Sequence, residues 1–498
     1  MSKKITISLM LLFLSSHIGV TQQAAKAQTQ IPIPTPTQIP IPVAPTSTPK
    51  PICPAQLGAN IHAVVNRTLF SRARWGILVQ PLGSNQTLYN KDGQKYFTPA
   101  SNTKLLTTAA ALQQLGANFR IRTSVYQDSA GVLRVVGRGD PSFSDTQLQA
   151  LAKQLKAKGI NQINQLIADD SYFQGDIVHP SWQWEDLYSD YGAPVSSLNL
   201  NQNVFGIRIA PQAVGKPIQV SWTDGNEARL WQLANQSVTV GENQDNTLNI
   251  TRDLSGRILR VQGQLPSNAE PFLVSIPVVD PNYYFLRRFR SALAAQRIIL
   301  GQTSVGTAKN QQELAAVQSP ELSELLMETN QNSNNLYAES LLRAIAFKQP
   351  RKPNQFTVDA GLEVLKTTLT QLGVDPMGYV LVDGSGLSRR NLISPLALVQ
   401  TLQGMAKSPA ASVFRVSLPV AGKSGTLKNR FRNTPAEGIV QAKTGTMTGV
   451  VALSGYVNAP KYQPMVFSII VNQTEQSATV VRQAMDEIVV TLAQLQRC

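Results

Sequence analysis

An antiparallel sheet flanked by helices, interrupted by a large insertion with a nested β-rich segment, is the α/β (α+β) architecture this sequence predicts. Three observations point there. Near the start of the folded part, Ala59 to Phe70 has helical periodicity, and WGILVQPLGSNQTLYN (75–90) reads as strand, turn, strand. At the far end, VVALSGYVNA (450–459) and YQPMVFSIIVNQ (462–473) read as a hairpin, and Ser477 to Leu495 follows as an amphipathic helix. Elements from the two ends can then share one sheet. Between about Phe119 and Pro320 the texture changes to short strand-like runs.

The first segment reads as a targeting signal. Lys3 and Lys4 precede an apolar run from Ile5 to Leu14, and Ala25-Lys26-Ala27 fits a small-x-small cleavage site. The apolar run is too short to span a bilayer. Residues 1–27 are therefore expected to be a signal peptide. Residues 28–52, rich in Pro, Thr and Gln, are expected to be an extended linker. The mature protein is expected in the periplasm or cell-wall space, with no integral membrane segment after signal removal.

With 498 residues the chain is too long for one compact domain. Its 42% hydrophobic and 15% charged content is ordinary for a globular protein. The net charge of +15 raises the question of nucleic acid, but there is no basic cluster with interleaved aromatics and no zinc-finger spacing. No nucleic-acid partner is expected. Histidine is scarce: beyond the signal only His62 and His179 remain. A Ser-His-Asp triad or a His-rich zinc site has little to work with. No cofactor and no metal are expected, and a serine activated by lysine is the chemistry left available. Cys53 and Cys498 bracket the folded part. In an oxidising compartment they are expected to pair, the alternative being two unrelated thiols.

Three short boxes occur in order: Ser101-Asn102-Thr103-Lys104, Ser333-Asn334-Asn335 and Lys443-Thr444-Gly445-Thr446. Each alone is weak, because Ser47-Thr48-Pro49-Lys50, Ser197-Leu198-Asn199 and Lys423-Ser424-Gly425-Thr426 imitate them. Context chooses. Ser47 lies in the proline-rich stretch, where no helix forms. Ser101 opens the helical run SNTKLLTTAAALQQLG as its N-cap, with Gly116 as a stop. Positions i and i+3 share a helix face, so Lys104 can aim its amine at Ser101. Ser333 falls where two helices meet within Pro320 to Ala346. Lys443 precedes the hairpin and so lies on a strand edge, whereas Lys423 follows a Pro-Val-Ala-Gly turn and reads as loop. The insertion contains GVLRVVGRGDPSF (131–143), a helix around Leu148 to Lys158 and NQLIADDSYF (164–173), a small α/β unit. From Ile218 to Val278 the runs IQVSW, SVTVG, TLNITRD, RILRVQGQL and FLVSIPVV are strands.

With these segments placed, the chain resembles the class C low-molecular-mass penicillin-binding proteins, serine D-alanyl-D-alanine carboxypeptidases/endopeptidases. The resemblance covers nearly all of residues 53–498. Beyond the boxes it includes GRGDPSF (137–143), DDSYF (169–173), YGAPVSSLNLNQN (191–203), DGSGLSRRNLISP (383–395) and LPVAGKSGTLKNRF (418–431). One departure is Asn334, where the usual second box has Asp. The resemblance implies a penicillin-binding/β-lactamase-like catalytic domain from 53–120 and 320–498. It implies an inserted α/β domain from 121–203 and 279–319, with a nested β-rich domain at 204–278. It implies peptidoglycan stem peptides as substrates, β-lactams as inhibitors and a Ser101 acyl-enzyme. Lys104 would take the Ser101 proton, Ser333 would relay it, Asn335 would hold the substrate amide and Lys443 would supply positive potential. Thr444 and Thr446, flanking Gly445, would bind the terminal carboxylate, and the backbone N–H groups of Ser101 and Thr446 would form the oxyanion hole. Asp186, Leu187, Tyr191, Arg389 and Met447 would line a pocket for the stem-peptide diamino acid. A dedicated β-lactamase and a non-catalytic wall-binding protein are the alternative readings.

Overall fold

The computed structural model describes residues 51–253, 256–307 and 312–498. The expected signal peptide, most of the linker and the Ser47 imitation of the first box lie outside the described residues. Among the described residues, no helix is long and apolar enough to cross a membrane.

The central sheet has five antiparallel strands in the order Val440–Met447, Val450–Val457, Met465–Asn472, Arg74–Pro81 and Tyr89–Lys91. Strands from both ends of the chain are thus neighbours. The second and third strands in the order are buried along their whole length. The side chains alternate between two cores, as the period of two dictates. Ile77, Val79, Leu453, Phe467 and Ile469 face a core shared with helices Pro54–Val65 and Ala478–Ala493. Leu78, Ala452, Tyr456, Val466 and Ile470 face the other core, built by helices Thr103–Leu115, Leu322–Gln331, Asn335–Ile345, Thr357–Gln371 and Pro395–Lys407. A sheet covered on both faces reads as continuous apolar runs rather than as alternation, which is how the hairpin looks in sequence.

The insertion carries a five-stranded mixed sheet in the order Ile299–Val305, Gln162–Asp169, Val132–Val136, Arg122–Ser129 and Gln312–Gln318. Two pairings are parallel and two antiparallel. Arg134 is buried between Asp128 (2.9 Å) and Asp169 (2.6 Å), so one guanidinium ties three strands. Two three-stranded sheets follow, Phe272–Pro277 with Val204–Ala210 and Gln219–Trp222, and Gln232–Val240 with Ile258–Pro266 and Asn249–Arg252. One hydrophobic core runs through all three sheets: Leu148, Leu166 and Phe289 belong to it together with Phe205, Ile207, Leu259 and Val261.

Two local expectations are corrected. The first helix is Pro54–Val65, with Thr68–Phe70 a separate 3₁₀ turn, because Pro54 starts the helix earlier than Ala59. Ile52, counted with the linker, already belongs to the fold: its N–H donates to Gln494 O (3.1 Å) and its carbonyl accepts from Gln496 N (3.0 Å).

Cys53 and Cys498 are joined by a disulfide with Cα atoms 5.7 Å apart, across 445 residues of sequence. It sits beside the packed terminal helices. Closing so long a loop removes unfolded-state entropy, worth about 3–5 kcal/mol. Reduction, or Cys498→Ser, is therefore expected to lower Tm by several degrees while leaving activity within about twofold. A melting curve with and without reductant, paired with an activity assay, checks both halves. An unchanged Tm contradicts the stabilising role.

Candidate active site

Ser101 lies in a 3₁₀ turn, Ala100–Asn102, and the α-helix begins at Thr103. It is not the helix N-cap that its position suggests. Asn102 occupies that place without a capping side-chain bond and instead donates from Nδ2 to Ser454 Oγ (2.7 Å) in the central sheet. The turn is tightly held. Thr103 Oγ1 donates to Ala100 O (3.0 Å), and Ala100 has φ +47°, an uncommon conformation for a residue with a β-carbon. Gly386 (φ +82°) passes so close that a β-carbon there would collide with Ala100 O.

Lys104 is wholly buried one turn along. Its Nζ donates to Asn335 Oδ1 (2.6 Å) and Ser385 O (2.7 Å) and lies 2.9 Å from Ser101 Oγ. Burial pushes its pKa down to about 7, while Asp383 and Glu339 pull the other way. A neutral amine has two N–H groups and one lone pair. Two fixed acceptors take the N–H groups, so the lone pair points at the Ser101 hydroxyl.

Ser333 sits between helices Leu322–Gln331 and Asn335–Ile345 in a left-handed conformation (φ +60°). Asn334 caps the second helix, accepting from Tyr337 N (3.3 Å), a role its amide oxygen fills without a carboxylate. Asn335 donates from Nδ2 to Tyr191 O (2.9 Å) in the insertion, which fixes its Oδ1 toward Lys104. Lys443 is also wholly buried and donates to Ser333 Oγ and Thr444 O (both 2.8 Å). Burial, and then the charge of Lys104, hold its pKa well below the ordinary lysine range. Gly445 lets the strand lie against the nucleophile turn, since a β-carbon there would be 3.1 Å from Ser101 N and 2.8 Å from Pro99 O. Thr444 and Thr446 lie on the strand's other side, bonded to Thr426 Oγ1 (2.8 Å) and to Arg482 Nη2 (3.0 Å) respectively.

Of the residues expected to line the side-chain pocket, Asp186, Tyr191 and Arg389 come near one another. Arg389 Nε donates to Gln183 Oε1 (2.9 Å) and Nη2 to Thr448 O (3.0 Å), next to Met447. Asp186 accepts from Gln183 N (3.3 Å) and is held above the usual carboxylate range by burial, against the pull of Arg389. Tyr191 is partly exposed beside it. Leu187 packs with Trp182, Val195, Leu336 and Leu387 in a small cluster between insertion and catalytic helices.

The imitations separate physically. Lys423 is exposed and paired with Glu437. Asn199 is buried, bonded to Ser340 Oγ (3.3 Å) and Asn203 Nδ2 (2.8 Å). Yet the Lys423 segment is no bystander, because its Thr426 buttresses Thr444. Sequence reasoning missed Thr426, Arg482, Ser385 and the two carboxylates Glu339 and Asp383. A second Gly-Thr pair and the acidic start of a Gly-Ser-Gly turn were the only signals for them.

Comparison with known proteins agrees with this geometry. The sequence model of the D-Ala-D-Ala carboxypeptidase 3 (S13) family matches residues 57–495. The chain is 36% identical over 463 residues to a D-alanyl-D-alanine carboxypeptidase of Actinomadura sp. (strain R39), covering 88% of this chain and 85% of that protein. It is 33% identical over 459 residues to penicillin-sensitive carboxypeptidase A of Dictyostelium discoideum, covering 84% and 87%. The crystal structure of penicillin binding protein 4 from Haemophilus influenzae superposes with a TM-score of 0.77 at 25% identity, covering 87% of this chain and 98% of that one. Matched from end to end of its two-sided sheet and across the insertion, this chain belongs to the D-Ala-D-Ala carboxypeptidase 3 (S13) family.

Proposed function

We propose that the enzyme hydrolyses the terminal D-Ala-D-Ala bond of peptidoglycan stem peptides through an acyl-enzyme on Ser101, outside the cytoplasm, and that β-lactams acylate the same serine. The observation that carries this reading is the Lys104 amine, buried, lowered to a pKa of about 7 and 2.9 Å from Ser101 Oγ.

The steps follow from the placement of the groups. Ser101 Oγ attacks the carbonyl carbon of the penultimate D-Ala as its proton passes to Lys104 Nζ. The developing oxyanion is received by the backbone N–H groups of Ser101 and Thr446, each donor worth about 3–4 kcal/mol. The proton held by Lys104 is relayed through Ser333, which Lys443 holds, to the leaving amine. Lys104 is neutral again as the C–N bond breaks and D-alanine departs. Water then attacks the ester carbonyl, giving up its proton through Lys104, and Ser101 is restored. The terminal carboxylate lies along Thr444 and Thr446 in the positive potential of Lys443. The segment 121–319 supplies the far wall. There Asp186, Leu187 and Tyr191, with Arg389 and Met447 opposite, receive the diamino-acid side chain: a carboxylate for its ammonium and a guanidinium for its carboxylate.

Three outcomes are expected. Ser101→Ala should fold normally and lose covalent labelling by penicillin, since only the attacking oxygen is removed. Gel fluorography with a labelled penicillin checks it, and persistent label sinks the assignment. The second concerns pH. Only neutral Lys104 accepts a proton, so acylation should fall about tenfold per unit below pH 7 and level off above it. A pH-independent rate constant down to about pH 5.5 would exclude Lys104 as the base. In the third, Asp186→Asn or Arg389→Gln should penalise native stem peptides more than diacetyl-lysyl-D-Ala-D-Ala, by about 1.5–3 kcal/mol in kcat/KM. Equal losses on both substrates would remove these residues from the pocket.

A further inference from the structure

Two carboxylates outside the three boxes, Glu339 and Asp383, are completely buried near Lys104, and no step above uses them. Glu339 Oε1 accepts from Gly384 N (2.9 Å) and Ser385 N (2.8 Å), while Oε2 accepts from the buried Arg343 (2.8 Å). Asp383 Oδ1 accepts from Gly386 N (2.8 Å) and Asn391 Nδ2 (2.7 Å). Its Oδ2 accepts from Ser388 N (2.7 Å) and from the indole Nε1 of Trp182 (3.0 Å). Together these bonds hold residues 383–388 in one shape. That shape presents the Ser385 carbonyl to Lys104 Nζ at 2.7 Å.

Trp182 belongs to the insertion, at the head of the loop that carries Asp186 and Tyr191. A second tie lies beside it, Ser181 Oγ donating to Ser388 Oγ (2.7 Å). The same loop fixes the other acceptor of Lys104, because Tyr191 O receives Asn335 Nδ2. Both acceptors that orient the amine are therefore braced from one loop of the insertion. Without that brace Lys104 has no reason to keep its lone pair on Ser101.

We propose that Trp182, Asp383 and Glu339 are positioning residues that make the orientation of Lys104 depend on the docking of the loop Trp182–Tyr191, so that the loop facing the substrate side chain also sets the rate of serine acylation. The proposal rests on the reading of Lys104 as the base, and its test separates the two.

Trp182→Phe keeps an aromatic ring among Val195, Leu336 and Leu387 and removes only the N–H to Asp383. Benzylpenicillin carries no diamino acid, so it probes the base without using the pocket. Stopped-flow acylation should show the limiting rate constant down about tenfold, with the dissociation constant of the pre-acylation complex changed by less than about twofold. A wild-type limiting rate constant overturns the proposal. Should Trp182→Phe fail to give a cooperative melt, Ser181→Ala, which removes the loop's second tie to Ser388, decides in the same assay: a slowed limiting step supports the coupling, and a wild-type one overturns it. Lys104→Met is the parallel arm. If it still acylates at the wild-type rate, the reading of Lys104 as the base falls. If it is inactive while Trp182→Phe is normal, only the coupling falls.

Discussion

The amine of Lys104 is the point on which the rest of the structure depends. Taking an ammonium group out of water is expensive, and the cost is met partly by lowering its pKa and partly by giving every N–H and the lone pair a partner. Those partners come from three distant places: the nucleophile turn at Ser101, the helix that starts at Asn335, and the Gly-Ser-Gly turn at Ser385. A buried amine with fixed partners demands that these segments converge. The helices, the insertion and the strand carrying Lys443 converge to within a few ångströms of it.

A second buried amine raises the stakes. Lys443 lies close enough for the charge of Lys104 to disfavour its own. Two ammonium groups would repel in a medium with little water to screen them. The pair is easier to hold with at least one neutral member, which is the state that a proton acceptor requires. Two residues with positive φ also stand at this site: Ala100 before the nucleophile and Ser333 in the second box. Strained residues persist only where their surroundings over-determine them, and at Ala100 packing against Gly386 and Gly445 does so.

Much of this was legible in the sequence. The hairpin, the C-terminal helix and the helix after Ser101 announce themselves by apolar runs, and the two helices flanking Ser333 by periodicity. The three boxes were separable from their imitations because proline content and strand context differ. What escaped was of two kinds. Helices Pro281–Ala295, Thr357–Gln371 and Pro395–Lys407 were not assigned, since they lie between segments with stronger signals. Residues that act through others also escaped. Glu339 looks like any glutamate on a helix, and only its contact with amides 45 and 46 positions away reveals its task. Trp182 and Asp383 are 201 residues apart, and no local pattern connects them. Ser101 was misread as a cap because a hydroxyl before a helix usually serves the backbone, whereas here it serves a side chain.

The bond between Cys53 and Cys498 makes the described protein a closed covalent ring, because it joins residues at the two edges of the fold. A ring has no single point whose cleavage divides it. A protease that nicks an exposed loop, for example in the small sheets of the insertion, leaves one molecule whose pieces remain tethered through the bridge. Such a nick costs loop continuity but not the covalent unity of the two half-domains that form the central sheet. The same closure places the two edges of the described fold side by side, so new ends opened elsewhere on the ring would leave the sheet order unchanged.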